Sequence, residues 1–335
     1  MSLAALPDFA QNIALRREIS DLRQRLDLAG EEVATGLHRD PVRASGGDPA
    51  RLFAIERGQA ETERRANGVS LAQGRVLIVQ EALGGVQALA DEIGVDLSAS
   101  IARGDNVAAR LHAAGAEGAF RDAVSALNKS YAGRSVFAGA ETRGSALDPA
   151  DDILADVRAL VSAAPDAATA IADVQTYFGP GGGFETTRYL GADADAPLVT
   201  LDGGRALGVA PRADDPAFRN LLEGLALAAI AVDVAYAGPI GAETELMEVA
   251  SGRMVQARED IVLLRSEIGL SEQRLEEASA RIEARRFALD SAWNDAFVRD
   301  PYEAASEFQA LEQQLQSTFA VASRLSGLSI SAFLR

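Results

Sequence analysis

Cysteine is absent from this 335-residue chain, which excludes a disulfide framework and thiolate metal sites and is compatible with an oxidising or a reducing compartment. Lysine is nearly absent too, Lys129 being the only one. Lys and Arg together number 32 against 49 Asp and Glu, a formal charge of −17, so no nucleic-acid partner is expected. Aromatic residues make up only 5% of the chain while 48% is hydrophobic. That balance, rich in Ala and Leu, favours helices packed through small and medium side chains over a β-sandwich core, and the fold class expected is mainly α. Long apolar runs are missing as well. Pro7, Asp8, Arg16, Arg17 and Glu18 interrupt any signal-peptide core, and the most apolar segment, Leu221 to Ala237, carries Glu223 and Asp233 and reads as a buried helix. No cleaved signal peptide and no membrane insertion are expected.

What the chain does have is the same apolar pattern at both ends. Leu15, Ile19, Leu22, Leu26, Ala29 and Val33 alternate spacings of four and three, and Phe308, Leu311, Leu315, Phe319, Ala322 and Leu325 nearly repeat them. Such a stripe makes a helix that has to bury one seam against a partner. The partner is either the opposite end of the same chain or a neighbouring subunit.

Between the ends, local signals set the element order. Pro7 suits a first helical turn and Gly36 a stop, giving one long helix. A turn-rich loop follows, and Asp48 then caps a second long helix from Pro49 to about Glu92, weakened by Gly74, Gly84 and Gly85. A third helix is predicted from Asn106 to Tyr131, followed by extended residues Ser135 to Ala138. Glu141 to Ile240 changes character, with fifteen Asp and Glu against six Arg, a net of −9, and a Gly179 to Gly183 run. This stretch reads as an inserted α+β domain. Its helices are expected at Asp152 to Ala163 and Pro216 to Tyr236, and its strands at Thr186 to Leu190, Leu198 to Leu201 and Ala206 to Ala210, with a hairpin turn at Asp202-Gly203-Gly204. Long helix returns from Glu243 to Phe297, breaks at Asp300-Pro301 and resumes from Tyr302 to Leu325. Trp293 and Phe297, one helical turn apart, are expected to pack against the N-terminal helices.

Motifs for catalysis are lacking. His38 and His112 stand far apart and outside any metal-ligand spacing. Asp151-Asp152 follows Pro149 at a helix start, where carboxylates complement the helix dipole. Asp193 and Asp195 lack the glycine and closing glutamate of a calcium loop. The glycine run has no Lys-Ser/Thr after it, so a flexible linker outweighs a phosphate cradle. No catalytic residue, cofactor or metal is assigned, and the chain is read as a non-enzyme. The Arg residues of the long helices suit either intersubunit or intrahelical pairs.

Several stretches resemble a known family. Glu32-Val33-Ala34-Thr35-Gly36-Leu37 followed by Gly47-Asp48-Pro49-Ala50 is similar to an N-terminal signature of bacterial flagellins, and Asn67 with Val69-Ser70-Leu71-Ala72-Gln73 resembles the helix after it. The tail Thr318 to Ser326 resembles the flagellin C-terminus. Asn128-Lys129-Ser130-Tyr131-Ala132-Gly133-Arg134-Ser135-Val136-Phe137-Ala138-Gly139 is similar to an element of the hook-filament junction proteins of the same superfamily, with Ser135-Val136 where that element has Tyr-Leu.

The resemblance implies a structural component of the bacterial flagellum that joins hook to filament, with filament flagellin as the close alternative and an inserted-domain hydrolase or a non-flagellar coiled-coil adaptor behind it. It implies a long antiparallel helical coiled-coil rod formed by both termini. Residues 1–40 with 300–335 would be the assembly domain, 41–140 with 241–299 a helical rod domain, and 141–240 a surface-exposed insert. The expected assembly interface is Leu15, Ile19, Leu22, Leu26, Val33, Phe308, Leu311, Leu315, Phe319, Leu325 and Leu328, with Trp293 and Phe297 packing the rod. Expected partners are neighbouring copies, a hook-side adaptor, filament flagellin, and an export chaperone on the C-terminal helix over Phe308 to Leu328. The expected location is extracellular, at the hook-filament junction, after export unfolded through the flagellar type III channel.

A lone hairpin of the two terminal helices leaves one face wet, so the polymer should order these ends far more than the monomer does. Amide exchange across Leu15 to Val33 in a verified monomer is expected to be fast; slow exchange throughout would contradict this.

Overall fold

The computed structural model describes residues 5–44, 47–195, 199–200, 206–208, 210–233 and 242–333, with side chains over 13–44, 47–195, 208, 210–233 and 242–324. The chain is mainly α and divides into two compact units, Met1–Arg64 with Ile282–Arg335 and Arg65–Arg281.

The first unit holds α1 (Ala5–Thr35), the short α2 (Pro41–Ala44) and the beginning of α3 (Pro49–Leu89). The chain leaves α1 at Gly36, which adopts φ +69, and the Gly36 N–H donates back to the Glu32 carbonyl at 2.9 Å, the usual glycine stop of a helix. Asp48 starts α3, its carboxylate accepting from the Ala50 N–H at 2.9 Å, with Pro49 at the first helical position where no N–H is needed.

The second unit opens with the rest of α3, which runs through a π-helical turn (Ala90–Val95) into α4 (Asp96–Ala102). Val69, Ala72, Val76, Val79, Leu83 and Val86 are buried along it. Next come α5 (Asn106–Ala114) and α6 (Ala116–Leu127), in place of the single helix predicted from Asn106 to Tyr131. The periodicity explains the break. Leu111 and Phe120 are nine residues apart, half a turn out of phase on one continuous helix, so no single helix could bury both. The chain bends at Gly115, α6 buries Phe120, Val124 and Leu127, and α5 turns only Ala109 and Ala113 inward. Strands β1 (Ser130–Tyr131) and β2 (Arg134–Ser135) then form a two-residue antiparallel hairpin.

Helix α7 (Ala150–Ala163) lies within the predicted insert, and α8 (Ala167–Phe178), which the sequence reading passed over, follows it. Its signals were present: Asp166 caps it by accepting from the Thr169 N–H at 2.7 Å, and Ala167, Ala170, Ile171, Val174 and Phe178 form its buried side. The strand predicted at Thr186 to Leu190 is instead a π-helical turn, Phe184–Arg188, with a lone bridge from Tyr189 to Leu147. The hydroxyls of Thr186 and Thr187 donate to the carbonyls four residues back, at 2.9 and 2.5 Å, a local bond that competes with strand pairing. The turn sets Arg188 between Asp148 (3.0 Å) and Asp156 (2.7 Å). That pairing holds the Asp156 carboxyl below the usual range, and burial together with the same carboxylate pushes the Tyr177 phenol up. Strands β3 (Val199–Thr200) and β4 (Ala206–Leu207) pair antiparallel, shorter than expected; the predicted turn at Asp202 to Gly204 lies outside the described residues.

Helix α9 (Pro216–Ala231) is the centre of this unit, buried from Ala217 to its end. A helix covered all round needs apolar residues on every face, which is why its sequence resembles a membrane span in miniature. No described helix is long and apolar enough to cross a membrane. The two charges within α9 are paired, Arg219 with Glu185 at 3.0 Å and Glu223 with Arg253 at 2.8 Å. Burial raises the Glu223 carboxyl above its ordinary value, and Arg253 pulls the other way. Phe137 meets Phe218 edge to face, with ring centroids 5.9 Å apart. The chain then enters α10 (Ala242–Phe297), where Arg265 donates to Gln87 of α3 at 2.6 Å and accepts from Gln80 through its carbonyl at 3.1 Å. Helix α11 (Pro301–Phe333) closes the chain in the first unit, its start capped by Asp300, whose carboxylate accepts from the N–H groups of Tyr302 and Glu303 at 2.8 and 3.1 Å.

The glycines expected to weaken α3 do not interrupt it, and Gly74 has a packing reason. A Cβ there would sit 2.0 Å from the Tyr131 hydroxyl, whereas a Cβ at Gly85 would meet nothing within 4 Å. Gly85→Ala should therefore raise stability by up to about 1 kcal/mol through helix propensity. Gly74→Ala should lower it despite the same propensity gain, because Tyr131 has to move. Chemical denaturation of the two variants checks the pair; equal shifts would refute the packing role of Gly74.

Candidate assembly interface

Helices α1 and α11 pair antiparallel within the first unit. Leu22, Ala29 and Leu311 form the buried cluster of the seam, and Leu26, Phe308 and Leu315 pack on it. Gly30 lets the helices close up, since a Cβ there would lie 3.3 Å from the Phe308 ring. Leu15 and Ile19 are half-buried. Arg23 places its guanidinium 5.2 Å from the centre of the Phe319 ring, a cation–π contact.

The predicted stripe is thus covered unevenly. Leu22 is 3% exposed and Leu311 4%, while Val33 keeps 46% of its surface and Phe319 39%. Leu28 and Val321 are exposed as well. The side chains of Leu325 and Leu328 lie outside the described residues. A seam two helices wide buries one line of contacts and leaves the flanking apolar positions to solvent.

The junction between the helices is fixed by polar contacts that sequence reasoning missed. Leu37 bridges Val298 antiparallel. The His38 N–H donates to the Phe297 carbonyl at 2.8 Å, and the Arg299 N–H to the Gly36 carbonyl at 2.9 Å. Arg299 then reaches Glu32 at 2.8 Å and also pairs with Glu307. Arg299 and Glu32 are both largely shielded from solvent, where a charge pair is screened less than on the surface. Spacing gave no hint of a pair separated by 267 positions.

Trp293 and Phe297 stack, with ring centroids 5.0 Å apart and planes 16° from parallel. They pack with Val42 and Ala292 around Leu52, Ile55 and Ala296, so the end of α10 is held to the start of α3. Both rings are half-buried.

Residues 253–334 match the bacterial flagellin C-terminal helical region. The flagellin match takes in all of α11 and most of α10, hence Trp293, Phe297, Phe308, Leu311, Leu315 and Phe319. It supports the bacterial flagellin superfamily, a structural part in the flagellum and self-association into flagellar polymers. No curated protein matches the chain.

Elsewhere the second unit carries a cleft of about 710 Å³ lined by Glu185, Arg212, Asp214, Asp215 and Arg219 among others. Two ion pairs lie in it, Arg212 with Asp214 at 2.9 Å and Arg219 with Glu185 at 3.0 Å, while the Arg219 Nε is buried without a hydrogen-bond partner. Desolvation raises the Asp215 carboxyl, but that group caps α9 by accepting from the Ala217 N–H at 2.9 Å. Among the described residues no cluster of His, Asp and Glu is placed to hold a metal ion.

Trp293→Ala removes a half-buried stacked ring from the α3–α10 cluster and should lower stability by about 2–3 kcal/mol. Thermal unfolding of the purified protein checks this, and an unchanged melting temperature would show that the cluster does not hold the helices together.

Proposed function

We propose that the chain is the adaptor between hook and filament of a bacterial flagellum, acting by helical self-association through α1 and α11. The observation that carries self-association is the half-covered seam: α1 and α11 bury Leu22, Ala29 and Leu311 against each other yet leave Leu28, Val33, Phe319 and Val321 between 39% and 50% exposed. Fully burying a side chain of that size contributes roughly 1.5–3 kcal/mol, and covering the part still exposed about half of that, so neighbouring copies that complete the seam stabilise both themselves and the pair. The flagellin match over the C-terminal half of the seam supports the same reading.

The choice of junction over filament rests on the resemblance of Asn128 to Gly139 to the junction element, and the match to the flagellin C-terminal region keeps the filament subunit as the second reading. In the proposed role, residues 1–40 with 300–335 form the assembly layer, 41–140 with 241–299 a supporting helical layer and 141–240 the outward domain. Hook-side adaptor and filament flagellin are the neighbours above and below. An export chaperone holds α11 from Phe308 to Leu328 before passage, unfolded, through the flagellar export channel.

Electron microscopy of cells lacking the gene, with flagellin assayed in the medium, tests the role. Bare hooks with monomeric flagellin secreted are expected. Hooks capped at the junction with no flagellin would reassign the chain to the filament, and normal filaments would refute both readings.

A further inference from the structure

The second unit carries a cleft whose chemistry its own chain leaves incomplete. It measures about 490 Å³ and is lined by Leu71, Ala72, Arg75, Tyr131, Arg134 and Val136 among others. Its rim is the β1–β2 hairpin, whose turn puts both Ala132 (φ +50) and Gly133 (φ +75) in the left-handed region. That conformation suits Gly and costs Ala about 1 kcal/mol or more, so the hairpin is held in a shape the local sequence does not favour. Arg75 donates to the Val136 carbonyl at 2.9 Å, but its Nε is buried with no partner. Ser135 also lines the cleft, 2% exposed, with its Oγ unpartnered. Neither Arg75 nor Arg134 has a carboxylate partner among the described residues. In a chain of net charge −17, two neighbouring guanidiniums without a carboxylate, over an apolar floor, call for an acidic and apolar occupant.

The chain presents such a surface on α5. Val107 and Leu111, one helical turn apart, are 81% and 74% exposed, on the face that the phase break at Gly115 turns outward. Asp105 precedes them, one carboxylate oxygen capping the helix through the Ala108 N–H at 3.0 Å, and Asp96 and Glu92 are exposed on the elements just before α5. Of the basic residues there, Arg110 pairs with Glu243 at 3.1 Å and Arg103 donates to the Ser100 hydroxyl at 3.2 Å. Helix α5 packs on α4, with Gly115 beside Ile93, whereas the cleft lies beside Gly68 to Arg75. At about 1.5 Å per helical residue, the two surfaces are separated by roughly 30–35 Å along the second unit.

We propose that the α5 face of one copy docks in this cleft of the next, Val107 and Leu111 covering Leu71, which is 56% exposed, while Asp105 faces Arg134 and Arg75. Because knob and cleft are different surfaces at opposite ends of the unit, the contact is heterologous and propagates head to tail rather than closing a dimer. This deepens the self-association proposed above and rests on it, but places one contact outside the terminal helices.

Since the 335-residue chain has no cysteine, Leu71→Cys and Leu111→Cys each introduce one thiol at an exposed position. Sedimentation of wild-type protein establishes assembly, and a short bismaleimide then reports contacts in assembled variants. A mixture of the two variants is expected to cross-link about tenfold more than either alone, the ratio that about 1.4 kcal/mol of preference supplies. Adding Arg134→Glu to the Leu71→Cys variant should abolish that excess while leaving the circular dichroism unchanged. Assembly with no excess of mixed cross-links would overturn this contact and leave the terminal seam standing. Failure of the wild-type protein to assemble at all would overturn both.

Discussion

The pairing of α1 with α11 is the constraint on which the first unit depends. Two helices far apart in sequence meet because each carries a narrow apolar stripe and neither can bury it alone. Leu22, Ala29 and Leu311 supply the buried line, and the Arg299–Glu32 pair, with the Leu37–Val298 bridge, fixes where along their lengths the helices meet. Without that lock, heptad-like stripes tolerate sliding, since each turn offers nearly the same face as the next. The polar contacts convert a non-directional attraction into one register.

The second unit solves burial differently. Instead of a seam it surrounds one helix, α9, and fills the space around it with the few large rings the chain possesses, Phe120, Phe137, Phe184 and Phe218 being fully buried. Small residues let the backbones approach: a Cβ on Gly224 would come within 2.6 Å of Met254 on α10. The two charges within α9 are each paired with a residue outside it. Among the described residues the first unit instead holds two small buried clusters, Leu22, Ala29 and Leu311 in one and Leu52, Ile55 and Ala296 in the other.

The scarcity of aromatic groups sharpens this contrast. Two places among the described residues set a guanidinium against an apolar surface with no carboxylate partner. Arg23 over Phe319 is one, satisfied within the seam. Arg75 and Arg134 beside Leu71 and Val136 are another, and there the chain supplies no answer of its own.

Sequence alone determined where the long helices start and where α1 stops, but not the far ends of α3, which passes at Leu89 into a π turn, and α11, which runs past the expected Leu325 to Phe333. Gly36, Asp48-Pro49 and Asp300-Pro301 act through local backbone chemistry that operates in any surroundings, and the stripe residues of α1 and α11 announce a face that has to be covered. It also held, unread, the phase slip between Leu111 and Phe120 and the Asp166 cap of α8. Only the tertiary structure decided what covers each face. The turn at Phe184–Arg188 follows from two distant carboxylates that claim Arg188, the register of the terminal helices from Arg299 finding Glu32, and the place of Gly74 from a tyrosine 57 positions away. These are contacts between residues remote in the chain, and no local propensity encodes which remote residue will arrive.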